Sequence, residues 1–288
     1  MPDPQKILTT IKKAADLMRS TPGRAGSVIA LADVEDVMVV GDLHGNLPAF
    51  RQALTVAALD RHPRRHLVLQ ELVHEITKYE PDYSDRSHRL VDLVSALKCQ
   101  YPDRVHLILG NHELSELTGR IIGKDGQTLN LRFRQGIERT YGVWTNDIYQ
   151  SYLGLFAALP LAVRTPNRVF ICHTLPDGRW LETLDLALLK SDSWPEESMK
   201  RGGTIYALTW GRDTAPETAD QFAAMVDADL FVTGHQPCDD GFRQANHRQI
   251  IIDGTNPYPA YCLFPARSPA TIDSLMKSVH ILDMLNEG

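Results

Sequence analysis

Polar side chains follow several apolar runs of this sequence, at the point where each run ends. The run Asp36–Val40 leads into Gly-Asp-Leu-His-Gly, which places Asp42 and His44 two residues apart. Side chains of an extended chain alternate between two faces, so these two can point the same way from a strand end. A carboxylate beside an imidazole is half of a metal site, and the flanking glycines let the backbone turn sharply.

The same arrangement returns after later apolar runs. The further polar residues in such positions are Glu71, Asn111, His112, His173 and His235. A lone histidine of this kind is usually structural, but so many at strand ends are difficult to explain by core packing. Carboxylate, imidazole and amide oxygen together suit Mn, Fe or Zn better than Mg alone. Two metals about 3.5–4 Å apart, held by a bridging carboxylate, would clamp the attacking and leaving oxygens of a hydrolysis.

Alternating strands and helices must position these residues. The apolar patterns predict strands at residues 36–40, 66–69, 105–109, 168–172, 230–233 and 249–253. Helical spacing of apolar residues predicts helices at 46–58 and 87–97 and over most of 115–160, with a loop near residues 123–126. Strands that alternate with helices and end in polar motifs indicate an α/β fold with its ligands at the strands' carboxyl ends.

Further segments lie outside this core. Apolar residues at helical spacing predict a helix at 4–20, and the tail predicts another at 268–285, both packed on the outside. Residues 180–203 are polar and rich in loop formers, which favours a substrate-specific lid. No linker divides the chain, so we expect a single domain over residues 1–288.

The composition limits the class of protein. The chain has 288 residues, 43% of them hydrophobic and 23% charged, which is typical of a globular protein with a large core. No apolar run approaches the about 20 residues of a membrane helix, and a net charge of -6 argues against a large nucleic-acid face. Four distant cysteines without a C-x-x-C pair predict free thiols in a reducing compartment, the cytoplasm. Nothing in the sequence sets the oligomeric state.

The motifs resemble those of the calcineurin-like metallophosphoesterase superfamily, in particular its phosphoprotein phosphatase branch. Residues 41–45 (GDLHG) are similar to the first motif and residues 110–113 (GNHE) to the third. His173 is similar to the fourth motif and residues 234–236 (GHQ) to the last. Four separated motifs in the right order make a chance match improbable, and the resemblance extends over about residues 37–263.

The resemblance implies an α+β fold, a β-sandwich flanked by helices, with two divalent metals (Mn, Fe or Zn) at the strands' carboxyl ends. It implies that Asp42 and His44 hold the first metal. It assigns the second metal to Asn111, His173 and His235. His112 would be the general acid, oriented by a nearby carboxylate, while a metal-bridging hydroxide attacks the phosphorus.

The second motif departs from the family pattern. The family has Gly-Asp, two further residues and Asp-Arg, whereas this chain has Gln70-Glu71, two residues and His74-Glu75. Glu71 falls at the position of the bridging aspartate, and since a glutamate can also bridge two metals, we assign it that role. The alternative is a lost second metal, with Glu71 as a surface carboxylate.

The phosphate-binding arginines also differ. The arginine that the branch places before GNHE is Leu109 here. Arg86 follows Asp82 in the segment DYSDRS, which is similar to the missing D-Y-x-D-R-G, and Arg212 lies beside a tryptophan. Either guanidinium could bind phosphate oxygens in a bidentate way, or be an ordinary exposed side chain. Asp82 precedes a helix instead of following a strand, so we expect it to be a poor metal ligand.

These features predict a metal-dependent phosphomonoesterase, similar to serine/threonine protein phosphatases, that acts on a phosphoprotein or a small phosphoester. We expect neither a nucleic-acid nor a membrane partner. One alternative is hydrolysis of a (di)nucleoside polyphosphate, with Trp180 or Tyr206 stacked on a base. Another is a catalytically degenerate phosphatase fold that serves as a binding module.

Overall fold

Two β-sheets and the helices that flank them form the core of the molecule. The computed structural model describes residues 3–75, 85–124, 126–255 and 257–283. Its strands are β1 (Arg24–Ala25), β2 (Val28–Ala30), β3 (Asp36–Val40), β4 (Arg65–Gln70), β5 (Val105–Ile108), β6 (Gly123–Lys124), β7 (Gln127–Thr128), β8 (Ala162–Arg164), β9 (Val169–Cys172), β10 (Leu230–Thr233), β11 (Phe242–Gln244), β12 (Gln249–Ile252), β13 (Ala260–Pro265) and β14 (Val279–Ile281).

Helices cover the outer faces of the sheets. The α-helices are α1 (Pro4–Arg19), α2 (Leu47–Ala57), α3 (His88–Gln100), α4 (Asn111–Thr118), α5 (Leu129–Tyr141), α6 (Thr145–Phe156), α7 (Thr204–Trp210), α8 (Pro216–Val226) and α9 (Ile272–Lys277). Short 3-10 helices lie at Gly142–Trp144, Gly178–Thr183, Leu186–Lys190 and Glu196–Met199. None of the helices in the described ranges is both long and apolar enough to span a membrane.

The sheets are mixed, with a parallel centre in each. Within the described residues one sheet has the order β14-β13-β3-β4-β5 and the other the order β1-β2-β8-β9-β10-β12-β11. Strands β3, β4 and β5 run parallel, and so do β9, β10 and β12. The carboxyl ends of each parallel set therefore meet at one edge, where ligands of such sheets bind.

Alternating side chains of the central strands serve two apolar cores. Val37 and Val39 of β3 are fully buried in the core between the sheets, together with Ile171 and Val232 of the other sheet. Met38, in contrast, packs in the core beneath the helices. Burial on both faces explains why these strands are continuous apolar runs, as parallel strands covered on both sides usually are.

Most predicted elements are confirmed. The strands, the amphipathic helix α1 and the helices α2 and α3 lie within a few residues of their expected bounds, and residues 180–203 contain only short 3-10 helices. The helix predicted from residue 115 begins at Asn111 instead, so the third motif forms the first turn of α4. Strands β6 and β7 pair with each other where the sequence predicts a loop between the helices.

The helix predicted at 268–285 is wrong. Helix α9 has only six residues, and its start is fixed by a capping box between Thr271 and Ser274. The chain then becomes β14, which pairs antiparallel with β13 and buries Val279. The β-branched Val279 and Ile281 favour a strand, and pairing with β13 satisfies backbone groups that a helix would have satisfied internally. Residues 284 and 285 lie outside the described part of the chain.

Candidate metal centre

Asp42 and His44 lie just beyond the carboxyl end of β3. The backbone of Asp42 forms an isolated parallel β-bridge with Asp253, beyond the end of β12. The Oδ2 atom of Asp42 accepts a hydrogen bond of 2.7 Å from the backbone of His235. His44 turns its Nδ1 to the carbonyl of Val73 at 2.9 Å, which leaves Nε2 to face the centre. This contact fixes the ring in the way that an outer hydrogen bond fixes a metal-binding histidine.

Glu71 lies between two groups of candidate ligands. Its Oε2 atom is 3.3 Å from His44 Nε2 on one side and 3.4 Å from His173 Nε2 on the other. Its Oε1 atom accepts a hydrogen bond of 2.9 Å from the backbone of His112 in the first turn of α4. Glu71 is 1% exposed, so the structure does not support its being a surface carboxylate.

The second group forms at the ends of β5, β9 and β10. His173 Nε2 is 3.0 Å from Asn111 Oδ1, and the rings of His173 and His235 are 4.9 Å apart. The side chain of Gln70 places its Oε1 atom 3.1 Å from His173 Nδ1. Gln70 stands where the family has a glycine, so here an additional side chain orients a candidate ligand.

The donor atoms fit a centre for two divalent metals. Glu71 belongs to two clusters whose ligand atoms lie within 4.8 Å of one another, one with His44 and His112 and one with His173 and His235. Within the described residues, Asp42 Oδ1 and His235 Nε2 are buried without a hydrogen-bond partner. Unpaired buried polar atoms of this kind are costly unless something binds them.

Two glycines make room for the carboxylates. A Cβ atom at Gly234 would lie 2.2 Å from Asp42 Oδ1, and one at Gly110 would lie 2.5 Å from Glu71 Oε1. Neither contact is possible for real atoms, so both motifs require glycine at these positions. The glycine of each motif thus has a steric role next to the candidate ligands.

Burial and charge shift the pKa of these groups strongly. Burial raises the pKa of Asp42 well above its usual range, and the negative charge of Glu71 raises it further. Burial also acts to raise the pKa of Glu71, but nearby imidazoles, His173 first, outweigh it and leave that pKa well below its usual range. Burial lowers the pKa of His44, whereas Glu71 raises it, with a result of about 9. Divalent cations would favour the charged form of both carboxylates and neutral imidazoles.

His112 contacts a second histidine that the sequence did not single out. Its Nδ1 is 2.9 Å from Nδ1 of His74, and His74 Nε2 is 2.7 Å from Oε1 of Glu116. His112 is half-buried, whereas His74 and the side chain of Glu116 are completely buried. The carboxylate of Glu116 therefore contacts the imidazole of His74, which in turn contacts His112. His74 occupies the position of the second motif's missing aspartate. This position is the one feature of the sequence that indicates a role for His74.

Glu113 holds the backbone of the altered second motif in place. Its Oε1 atom accepts hydrogen bonds from the backbones of Leu72 at 2.8 Å and Val73 at 3.2 Å. Burial raises the pKa of Glu113 to about 7. The last residue of GNHE thus fixes the backbone that carries Glu71 and His74.

The two candidate arginines lie on different sides of the centre. The backbone of Arg86 donates to Glu75 Oε2 at 3.1 Å, and the segment 85–87 contacts the turn at Gly45. Burial lowers the pKa of His173 and of His235, and the positive charge of the exposed Arg212, two residues after α7, lowers both further. Asp82 lies outside the described residues.

The aromatic side chains near the second group contact one another. Trp210 lies 6.4 Å from the ring of His235 and stacks on Tyr206 at 5.7 Å. The guanidinium of Arg120 covers both rings, at 4.8 Å from Trp210 and 5.2 Å from Tyr206.

The four cysteines are free thiols, as predicted.

The geometry and the motif order define a calcineurin-like phosphoesterase. A family model described as calcineurin-like phosphoesterase matches residues 36–239, and the chain belongs to this family. Over 196 residues it is 31% identical to a probable serine/threonine-protein phosphatase of Encephalitozoon cuniculi (strain GB-M1). That match covers 60% of this chain and 39% of the relative, so the chain spans about two fifths of that relative's length.

Solved structures share the fold. One is a serine/threonine phosphatase from Saccharomyces cerevisiae with similarity to human phosphatase PP5, with a TM-score of 0.70 at 17% identity over 97% of this chain and 89% of that one. Another is a cold-active protein-tyrosine phosphatase of a psychrophilic Shewanella species, with a TM-score of 0.62 at 15% identity over 93% of this chain and 84% of that one. The predicted sandwich flanked by helices is confirmed.

Proposed function

We propose that this protein is a metal-dependent phosphomonoesterase of the protein phosphatase type. The observation that carries the proposal is the position of Glu71, whose Oε2 atom lies 3.3 Å from His44 Nε2 and 3.4 Å from His173 Nε2. A carboxylate shared between two ligand groups is what a two-metal phosphoesterase needs. The glutamate thus supports a dinuclear centre despite the altered motif.

The geometry supports one set of ligand roles. Asp42 and His44 would hold one metal, Glu71 would bridge, and the second metal would be held by Asn111, His173 and His235. When bound, divalent metals (Mn, Fe or Zn) neutralise phosphate charge and make a water molecule nucleophilic near neutral pH. The half-buried His112 would give a proton to the leaving oxygen.

Arginines on both sides could hold the remaining phosphate oxygens. The positive charge of Arg212 acts on His173 and His235, and the backbone of Arg86 donates to Glu75 at the second motif. A guanidinium binds phosphate oxygens in a bidentate way, and we propose both residues for this role. The names of the similar proteins, serine/threonine and tyrosine phosphatases, support a phosphoprotein substrate, and the free thiols favour the cytoplasm.

The polyphosphate alternative has less support. A base would have to stack on Trp180 or Tyr206, but Arg179 already covers Trp180, and Tyr206 packs against Trp210 and lies under Arg120. The binding-module alternative leaves unexplained why Asp42 Oδ1 and His235 Nε2 stay buried and unpaired within the described residues. Hydrolysis of a phosphomonoester therefore remains the best-supported activity.

The test is hydrolysis of an aryl phosphate by metal-stripped protein, before and after Mn²⁺ is restored, with bound metal counted per chain. We expect activity to return with the metal, and we expect Glu71→Ala to lose both activity and at least one of two bound metals. The exposed Glu217→Ala is the control for a general effect of removing a carboxylate. Metal-dependent activity that survives Glu71→Ala would move the bridging role elsewhere.

A second pair of substrates separates the alternatives. A phosphopeptide and a dinucleoside tetraphosphate are offered to the same Mn²⁺-loaded protein. Preference for the tetraphosphate would contradict the phosphomonoesterase assignment. No hydrolysis of any substrate under any metal would support the binding module.

A further inference from the structure

We propose that His74 and Glu116 form a buried positioning pair for His112, in which the carboxylate acts through an imidazole. This inference rests on the proposed function, because it concerns the group that protonates the leaving oxygen. It explains how the chain tolerates the loss of the second aspartate in its second motif. The replacement comes from two places at once, the loop after β4 and the second turn of α4.

The contacts form one continuous chain. His112 Nδ1 lies 2.9 Å from His74 Nδ1, and His74 Nε2 lies 2.7 Å from Glu116 Oε1. Both His74 and the side chain of Glu116 have no exposed surface. Buried charge-assisted hydrogen bonds of this length are among the strong ones in proteins.

The carboxylate of Glu116, at the end of this series of hydrogen bonds, determines which nitrogen of each imidazole carries the proton. A carboxylate only accepts, so His74 donates from Nε2, and in the neutral ring Nδ1 is left as an acceptor. His112 must then donate from Nδ1, which leaves Nε2 as the nitrogen turned away from His74. This assignment follows from the hydrogen-bond network. It is the same logic by which an aspartate fixes the ring of a catalytic histidine.

Glu116 is itself held in place by the helical region. Asn130 at the start of α5 donates to its Oε1 atom at 2.7 Å, and Tyr149 of α6 donates to its Oε2 atom at 2.7 Å. Each carboxylate oxygen therefore has a partner other than solvent. Groups that are fixed by outer contacts of this kind hold a site in its productive geometry.

The backbone of His74 also points to a special role. His74 has a φ of 65°, in the left-handed region that side chains other than glycine rarely adopt. Its amide donates to Ser87 Oγ at 3.0 Å, which holds the strained conformation. Strain of this kind persists where the surrounding structure demands it, often next to an active site.

The experiment compares His74→Asn and His74→Ala across aryl phosphates with good and poor leaving groups. Asparagine tolerates the left-handed backbone, and its Oδ1 can accept from His112 much as Nδ1 does. The matched control is His66→Asn, because His66 Nδ1 makes an equivalent 2.9 Å contact to His106 Nε2 far from the centre. Thermal stability and bound metal are measured for every variant.

We expect His74→Ala to lower kcat about 10–100-fold for poor leaving groups, with little change for good ones and little change in KM. His74→Asn should recover part of this loss, and His66→Asn should leave the leaving-group dependence of the wild-type protein unchanged. An equal loss for good and poor leaving groups would overturn the inference, as would an unchanged kcat in His74→Ala with normal metal content.

A spectroscopic measurement keeps the inference separate from the proposed function. A hydrogen-bonded imidazole N–H gives a downfield proton resonance, and we expect one assigned to His112 Nδ1–H that disappears in His74→Ala and shifts in Glu116→Gln. Absence of this resonance in the wild-type protein would overturn the inference even if the protein is an active phosphatase. Its presence in a protein without phosphatase activity would refute only the proposed function.

Discussion

Two histidine pairs lie at opposite ends of the neighbouring strands β4 and β5. At the amino ends, His66 Nδ1 is 2.9 Å from His106 Nε2, and His66 Nε2 meets the carbonyl of Asp33 at 3.1 Å. At the carboxyl ends, His74 contacts His112 at the same 2.9 Å. A histidine that contacts another histidine is thus not in itself a sign of catalysis.

The groups around each pair make the difference. His74 ends on the carboxylate of Glu116, whereas His66 ends on a neutral carbonyl. Burial lowers the pKa of His106 and that of His112 well below the usual range. The nearby cation of Lys98 lowers the pKa of His106 further, whereas the negative charge of Glu71 raises that of His112. His106 is fully buried, while His112 is half-buried beside the candidate ligands. One pair is therefore built to stay neutral inside the protein, and the other has a carboxylate behind it and access to the centre.

The largest effect, and the largest difference between the two pairs, should come from removing His112 from one pair and His106 from the other. We expect His112→Asn to lower kcat about 10²–10⁴-fold, as the loss of a positioned acid usually does. His106→Asn should change kcat by less than about twofold and lower the melting temperature, because it disturbs a packed interior. Steady-state kinetics and thermal unfolding of both variants test this. Full turnover in His112→Asn would remove the functional distinction between the pairs.

Stability should respond to pH through the interior pair. His106 stays neutral in the folded protein down to a pH well below 6.5, whereas the unfolded chain binds a proton from about pH 6.5. The unfolded state therefore holds more protons as the pH falls, so stability is present above pH 6.5 and lost below it. Between pH 6.5 and pH 5, wild-type protein should therefore lose more unfolding free energy than His106→Gln.

Urea unfolding at several pH values measures this difference. His88, whose pKa burial also lowers, remains in both proteins and largely cancels. Parallel stability curves for the wild type and the variant would mean that His106 is not held neutral by the fold. The pair His66–His106 would then differ from the pair His74–His112 in exposure alone.

The sequence was sufficient to predict the fold and to bring together the candidate ligands. The reason is local within each sheet: each ligand directly follows a strand, and parallel strands place their carboxyl ends together. Asp42 therefore meets Glu71 in one sheet, and His173 meets His235 in the other. The strands near the edges of the sheets were harder to predict. Strand β13 was missed although Ala260, Cys262 and Phe264 alternate as buried residues, and the tail became a strand because β13 offered it a partner.

The outer contacts of the centre could not be predicted, because they join distant parts of the chain. Glu116 meets His74 across 42 residues, and Gln70 meets His173 across 103. The spacing of His112 and Glu116 by four residues on α4 places them on one helical face, but it does not reveal what lies between them. Only the tertiary structure shows that an imidazole fills the place of the missing aspartate.

The smallest effect should come from Tyr149, whose hydroxyl donates to the Oε2 atom of Glu116 at 2.7 Å. Tyr149→Phe leaves the contact between His74 and Oε1 in place, so we expect kcat for a poor leaving group to fall no more than about threefold. The variant should still lose thermal stability, since the hydrogen bond to a buried carboxylate is worth about 1.5–3 kcal/mol. Tyr152→Phe, which removes an equivalent 2.7 Å hydrogen bond to Asp92, is the matched control for that loss. If Tyr149→Phe lowers kcat as much as His74→Ala does, then the whole carboxylate, and not its contact with His74, determines how His112 acts.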